Sequence, residues 1–226
     1  MLNYNKIYSL DVFEFLKIIP DASVDLAIID PPYNLKVANW DSFKTEQDFL
    51  EFSFRWIDAF ILKLKPNSSF YIFNTPYNCA IFLNYLRSKK VFFKNWITWY
   101  KKDGFSTTKR RFANHQETIL FYTMNQTKYT FNADDVRIPY LSESRIKAAT
   151  KKGILKNGKR WYPNPNGRLC PNVWKISSQR HKEKVDGKVV KPKYPTIKPY
   201  DLIERIVKAS SNENDIVFYA FQFKHI

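Results

Sequence analysis

The sequence predicts an α/β protein built on a mostly parallel, doubly wound sheet, and three observations carry that prediction. Short, nearly continuous apolar runs recur, the pattern of strands buried on both faces. Between them lie stretches of three- and four-residue apolar periodicity, the mark of helices. The composition, 44% apolar and 17% aromatic over 226 residues, supplies a sizeable core and excludes disordered and fibrous classes. Five glycines and no internal repeat exclude solenoids and propellers.

Taken in order, residues 24–29 (VDLAII) read as a buried strand ended by Asp30-Pro31, because proline has no amide for the ladder. Thr45, Glu46 and Asp48 form a capped helix start, and Phe49, Phe52, Trp56, Phe60 and Leu64 continue the helical stripe as far as Pro66. A strand at 69–73 (SFYIF), a helix at 77–88 and strands at 96–100 and 118–122 follow. Tyr71, Phe73, Trp96 and Trp99 are core candidates, and Cys79 and His115 read as structural. From about Tyr140 the periodicity dissolves into Gly, Asn, Pro and Lys, and so long a segment without alternation signals function. Regular structure resumes with Pro199 at a helix start, Asp201 in its first turn and a stripe of Leu202, Ile203, Ile206 and Val207. A last strand begins at 216–218.

Thirty-seven basic against twenty-one acidic residues give a net charge of +16, which favours a polyanionic partner. The excess is local: residues 85–111 hold 9 basic and 1 acidic group, net +8, and residues 144–198 hold 16 and 2, net +14. The start lacks the pattern of a secretory leader and no apolar run spans a bilayer, so a soluble, cytoplasmic protein is expected. Two cysteines and three histidines without ligand spacing point to no metal.

The sharpest local feature is Asp30-Pro31-Pro32-Tyr33. Two prolines stiffen an extended loop beyond a strand end, where ligands of open α/β sheets bind. The Asp30 carboxylate and the Pro31 carbonyl there can accept both hydrogens of an amine whose ring stacks on Tyr33. Such a corner suits a nucleobase.

These residues resemble the signature of S-adenosylmethionine-dependent DNA amino-methyltransferases. Its early position resembles the β order of that family: catalytic half first, target recognition second, cofactor half last. The Ser9-Leu10-Asp11 strand end, the FYIFN strand, Glu117 before TILFY, and Tyr194 to Pro199 leading into the last helix extend the likeness over residues 1 to 217, most like Type IIS adenine-N6 enzymes. The resemblance implies a Rossmann-like fold with a catalytic half at 1–139, a target-recognition insert at 140–193 and the start of the cofactor half at 194–226. It implies Asp30, Pro31, Pro32 and Tyr33 as catalytic residues, with Asp11, Asp30, Thr196, Lys198 and Pro199 near S-adenosylmethionine. Asp11 reads equally as a helix cap. Lys109, Arg110, Arg111, Lys156, Lys159, Arg160, Arg168 and Arg180 are the expected DNA contacts, most of them to phosphate.

One departure stands out. After Ile216-Val217 the family continues into a glycine-rich turn, whereas here FYAFQFKHI follows and no glycine occurs beyond position 187. A sheet incomplete at its C-terminus, weakened cofactor binding and reduced activity are expected, along with a homodimer or a complementing C-terminal chain. The alternatives are a non-catalytic DNA-binding remnant, a cytosine-N4 enzyme and, third, an RNA methyltransferase.

Overall fold

The computed structural model describes residues 3–101, 109–178, 183–185, 188–190 and 197–220. Its elements are α1 (Val12–Ile18), β1 (Val24–Ile29), α2 (Glu46–Ile61), β2 (Leu64–Asn74), α3 (Pro76–Leu86), β3 (Phe92–Tyr100) and β4 (Gln116–Thr123). After these come α4 (Glu143–Lys152), β5 (Ile154–Lys156), β6 (Lys159–Trp161), β7 (Val173–Lys175), β8 (Glu183–Val185), β9 (Lys188–Val190), α5 (Tyr200–Ser210) and β10 (Val217–Ala220).

Six strands form the central sheet in the order β10-β1-β2-β4-β3-β7. The pairs β10–β1, β1–β2 and β3–β7 are parallel, whereas β4 runs antiparallel to both neighbours. The carboxyl end of β3 and the amino end of β4 lie side by side, Tyr100 against Gln116, so the pair needs no crossover.

The pleat sorts the core. Ala27 and Ile29 of β1, Phe70 and Ile72 of β2, and Leu120 and Tyr122 of β4 face one layer with Phe49, Trp56, Ile57 and Phe60 of α2. Leu26, Ile28, Tyr71, Phe73, Ile119 and Phe121 face the other, with Leu202 and Ile206 of α5. Each fully buried Phe or Ile contributes about 1.5–3 kcal/mol, so both layers are strongly anchored. The chain therefore leaves β1 across one face and enters β10 from the other, which opens a crevice at the carboxyl ends of these two strands.

Two boundaries differ from expectation. The capping box of Thr45 and Asp48 is present, but α2 stops at Ile61, and Leu64 and Pro66 belong to β2. A register shift between Val24 and Leu26 accommodates the proline, whose missing amide would otherwise leave a gap in the ladder. The stretch after Tyr140 is also not structureless. It holds α4, a hairpin of β5 and β6 turning on Asn157 (φ 49°) and Gly158 (φ 75°), and β7 docked on β3. Helix α4 buries only Ala149, so it carries no apolar stripe for periodicity to reveal.

Candidate active site

Asp30 directly follows β1 and is still held to the sheet: its amide donates to the Ala220 carbonyl at 3.2 Å, and Pro31 then ends the ladder. The loop beyond is fixed by Asp41, a buried carboxylate that sequence reasoning missed. Asp41 Oδ1 accepts the amides of Tyr33 (2.6 Å) and Asn34 (2.9 Å), and Oδ2 those of Leu35 (2.8 Å) and Val37 (3.4 Å). Asn34 (φ 57°) and Lys36 (φ 58°) adopt the left-handed region to turn these amides toward one anion. From behind, Asn74 Nδ2 donates to the Pro32 carbonyl (3.2 Å) and Asn78 Nδ2 to the Tyr33 carbonyl (2.9 Å).

Five side chains converge at this sheet edge. Lys198 Nζ lies 2.8 Å from Asp30 Oδ1 and 3.4 Å from Glu117 Oε2. The Tyr33 hydroxyl stands 3.1 Å from Asp30 Oδ1 and 3.0 Å from Glu117 Oε2. Lys101 donates to Glu117 Oε1. Glu117 sits at the amino end of antiparallel β4 and Lys101 just past the carboxyl end of β3, so topology brings both to the edge where β1 ends.

Charge and burial compete in this cluster. Burial pushes Asp30 above the usual aspartate range; Lys198 opposes this, and the like charge of Glu117 adds to it. For Glu117, burial pulls the same way, yet Lys198 and Lys101 outweigh it and hold the carboxyl below the ordinary glutamate range. Lys198 shows the converse: burial disfavours its charge, but Asp30 and Glu117 prevail and keep it an ammonium. Burial and the two acids keep Tyr33 a neutral phenol.

Beside the corner opens a cleft of about 780 Å³ lined by β10, by residues 5–12 and by the loop beyond β1. Pro32, Asp11, Trp40, Phe43 and Tyr219 contribute to its wall. Asp11 is at once a helix cap, its Oδ1 accepting from Phe13 N (2.9 Å) and Glu14 N (3.4 Å), and part of that wall. Pro199 caps α5, one position before the helical start expected for it.

Lys109, Arg110 and Arg111 lie exposed in the connection from β3 to β4, at the same edge as Asp30. Lys156 pairs with Lys159, and Leu155 with Arg160, across the exposed β5–β6 hairpin. Arg168 is half-buried, bridges Ile138 through its backbone and donates Nε to the Pro139 carbonyl at 3.3 Å. Thr196 and Arg180 lie outside the described residues. Among the described residues, no group of His, Cys, Asp and Glu could hold a metal, and no helix is long and apolar enough to cross a membrane.

The family model described as "DNA methylase" matches residues 24–222. The chain is 58% identical over 221 residues to the Type II methyltransferase M1.MboII of Moraxella bovis, covering 98% of this chain and 85% of that protein. It is 34% identical to the Type II methyltransferase M.HpaI of Haemophilus parainfluenzae, spanning 91% of this chain but 60% of the relative. The DNA adenine methyltransferase YhdJ of Escherichia coli strain K12 is 31% identical, over 93% of this chain and 69% of that protein. Among solved structures, the M1.HpyAVI–SAM complex superposes with a TM-score of 0.57 at 24% identity, over 95% of this chain and 81% of the other, a likeness of fold. The acid-and-tyrosine corner beside a cleft at the sheet edge thus coincides with a family match across most of the sequence, and the chain belongs to the N6/N4 DNA methylase family of DNA methyltransferases.

Proposed function

We propose that this chain transfers a methyl group from S-adenosylmethionine to the exocyclic N6 of adenine in duplex DNA, as the modification enzyme of a bacterial restriction-modification system. The observation that carries the reading is the position of Asp30 and Tyr33, half-buried at the sheet edge, with Pro32 shared between their loop and the cleft.

The cleft fits the cofactor. Its volume lies within the roughly 300–1,000 Å³ of small-molecule sites. Aromatic walls (Trp40, Phe43, Tyr219) suit a purine ring, and Ser9, Asn39 and Asp11 offer polar partners for a ribose. When bound there, S-adenosylmethionine supplies an electrophilic methyl carbon.

The residues of the chain do the rest. An exocyclic amine is a poor nucleophile because its lone pair is delocalised into the base. A hydrogen bond to the Asp30 carboxylate draws it toward tetrahedral geometry, and the same negative charge stabilises the positive charge that grows on nitrogen. Tyr33 offers its ring to the extruded base, returning part of the few kcal/mol spent on unstacking. Lys109, Arg110 and Arg111, and the hairpin cations Lys156, Lys159 and Arg160, supply phosphate contacts. Adenine is favoured over cytosine by the aspartate at the first signature position and by the likeness to an adenine enzyme. The reading also carries action in the cytoplasm, and a homodimer or complementing chain that sedimentation with and without duplex would detect.

Methylation of duplex DNA with labelled S-adenosylmethionine tests the proposal. Label on N6-methyladenine, lost in Asp30→Ala while duplex binding persists, is the expected result. Label on cytosine N4, or none with any duplex, overturns it.

A further inference from the structure

Two donors, Lys198 Nζ and the Tyr33 hydroxyl, serve two carboxylates, Asp30 Oδ1 and Glu117 Oε2. The phenol has one hydrogen, so it satisfies one acid at a time. A target amine must add its own hydrogen to Asp30, whose Oδ1 already faces both donors. Glu117 plays no part in the transfer itself, yet it is ionised, 14% exposed and anchored from its far side by Lys101.

We propose that Glu117 is a positioning residue for methyl transfer: it holds Lys198 and the Tyr33 hydroxyl from the β4 side, so that Asp30 keeps the acceptor strength needed for the target amine. The proposal rests on the methyl-transfer reading above. Without Glu117, Lys198 has Asp30 as its sole acidic neighbour in the cluster, and a carboxylate bound that closely to an ammonium is a weaker acceptor for a third donor. With Glu117 in place, the cation is shared and a like charge stands opposite Asp30. Among the described residues, the groups acting on Asp30 are Lys198 before α5, Glu117 on β4, Tyr33 in its own loop and Tyr219 on β10. Those acting on Glu117 are Lys101, Lys198 and Tyr33, and Cys79 of α3 feels its charge.

The signs of two substitutions are opposite, which separates positioning from simple support of the fold. Glu117→Gln removes a negative neighbour and leaves Lys198 to Asp30, so the Asp30 titration moves to lower pH. Tyr33→Phe removes a donor that stabilises the Asp30 carboxylate, so it moves to higher pH. Carbon-13 NMR of labelled aspartate in the protein alone reads both shifts without any turnover. Single-turnover methylation of a duplex should fall roughly ten- to a hundredfold in Glu117→Gln with duplex affinity unchanged, and the acidic limb of its rate profile should move to lower pH. An Asp30 titration that does not move in Glu117→Gln, or moves the same way in both variants, overturns the proposal whatever the methylation rate. Wild-type rates in Glu117→Gln also overturn it. Absence of methyl transfer by the wild-type chain on every duplex defeats instead the reading on which it rests.

Discussion

Lys198 Nζ contacts Asp30 Oδ1 at 2.8 Å, with the lysine side chain 4% exposed and the aspartate 14%. A cation so enclosed survives only because two acids flank it. Lys198→Met would leave both carboxylates without it, and removing one partner of a buried pair costs about 3–5 kcal/mol. Urea denaturation at neutral pH should show that loss. Asp30→Asn likewise takes one of its two acids from the buried Lys198 ammonium, and should lose stability in the same assay while transferring no methyl groups.

Stability should depend on pH through Glu117 in a defined direction. Its folded-state value lies below the ordinary 4.5, so its contribution is present above that value and is lost as pH falls through the folded one. Asp30 has the opposite sign: its folded value lies above 3.8, so its ionisation costs stability as pH rises. Melting temperatures followed down from neutral pH should show a steeper acid fall in the wild type than in Glu117→Gln.

Asp41 is expected to be as important to activity as the residues it positions. It accepts four backbone amides in the loop that presents Tyr33. Hydrogen bonds to a charged group are worth about 1.5–3 kcal/mol each, not additively. Asp41→Ala should lower the melting temperature and abolish the fluorescence rise of a 2-aminopurine placed at the target base. Asp41→Asn, which retains one acceptor, should be intermediate.

Duplex affinity should fall with salt. Replacing Lys109, Arg110 and Arg111 together by alanine should reduce the slope of log K against log salt by up to about 3, roughly one per lost phosphate contact. Arg168→Ala should leave that slope unchanged and reduce stability, because its side chain serves the Pro139 carbonyl.

Gly167 sits at φ +107°, and a Cβ there would meet the Ile138 carbonyl oxygen at 2.4 Å. Gly167→Ala should therefore cost more than about 1 kcal/mol and loosen the bridge between residues 138 and 168, measurable as faster amide exchange at Ile138.

Much of this was legible in the residues. The run 24–29, the Thr45 cap and the aromatic stripe of α2 announce themselves because burial on two faces and helical spacing leave direct marks on composition. Asp30 and Tyr33 were visible because two prolines beside a strand end are chemically conspicuous. Glu117, Lys101 and Asp41 as site residues were not. Each is an ordinary charged residue in sequence, and its role comes from strand order: β4 turns back antiparallel, which carries Glu117 to the edge where β1 ends. Helix α4 escaped because a helix with one buried residue leaves no stripe. The hairpin at Asn157-Gly158 did carry a signal, the dipeptide suited to a tight two-residue turn, which the surrounding lysines obscured.

The pairing of β1 with β10, in which Leu26 aligns with Val217 and the Asp30 amide reaches the Ala220 carbonyl, has a consequence for biosynthesis. A nascent chain delivers the acidic corner to the ribosome exit early, but the strand that completes its edge only after the basic segments have emerged. Until then β1 exposes an unpaired apolar border that invites association with other chains. Translation speed and chaperone supply should accordingly govern the soluble yield of this protein, and slowed synthesis at low temperature should favour the intact site.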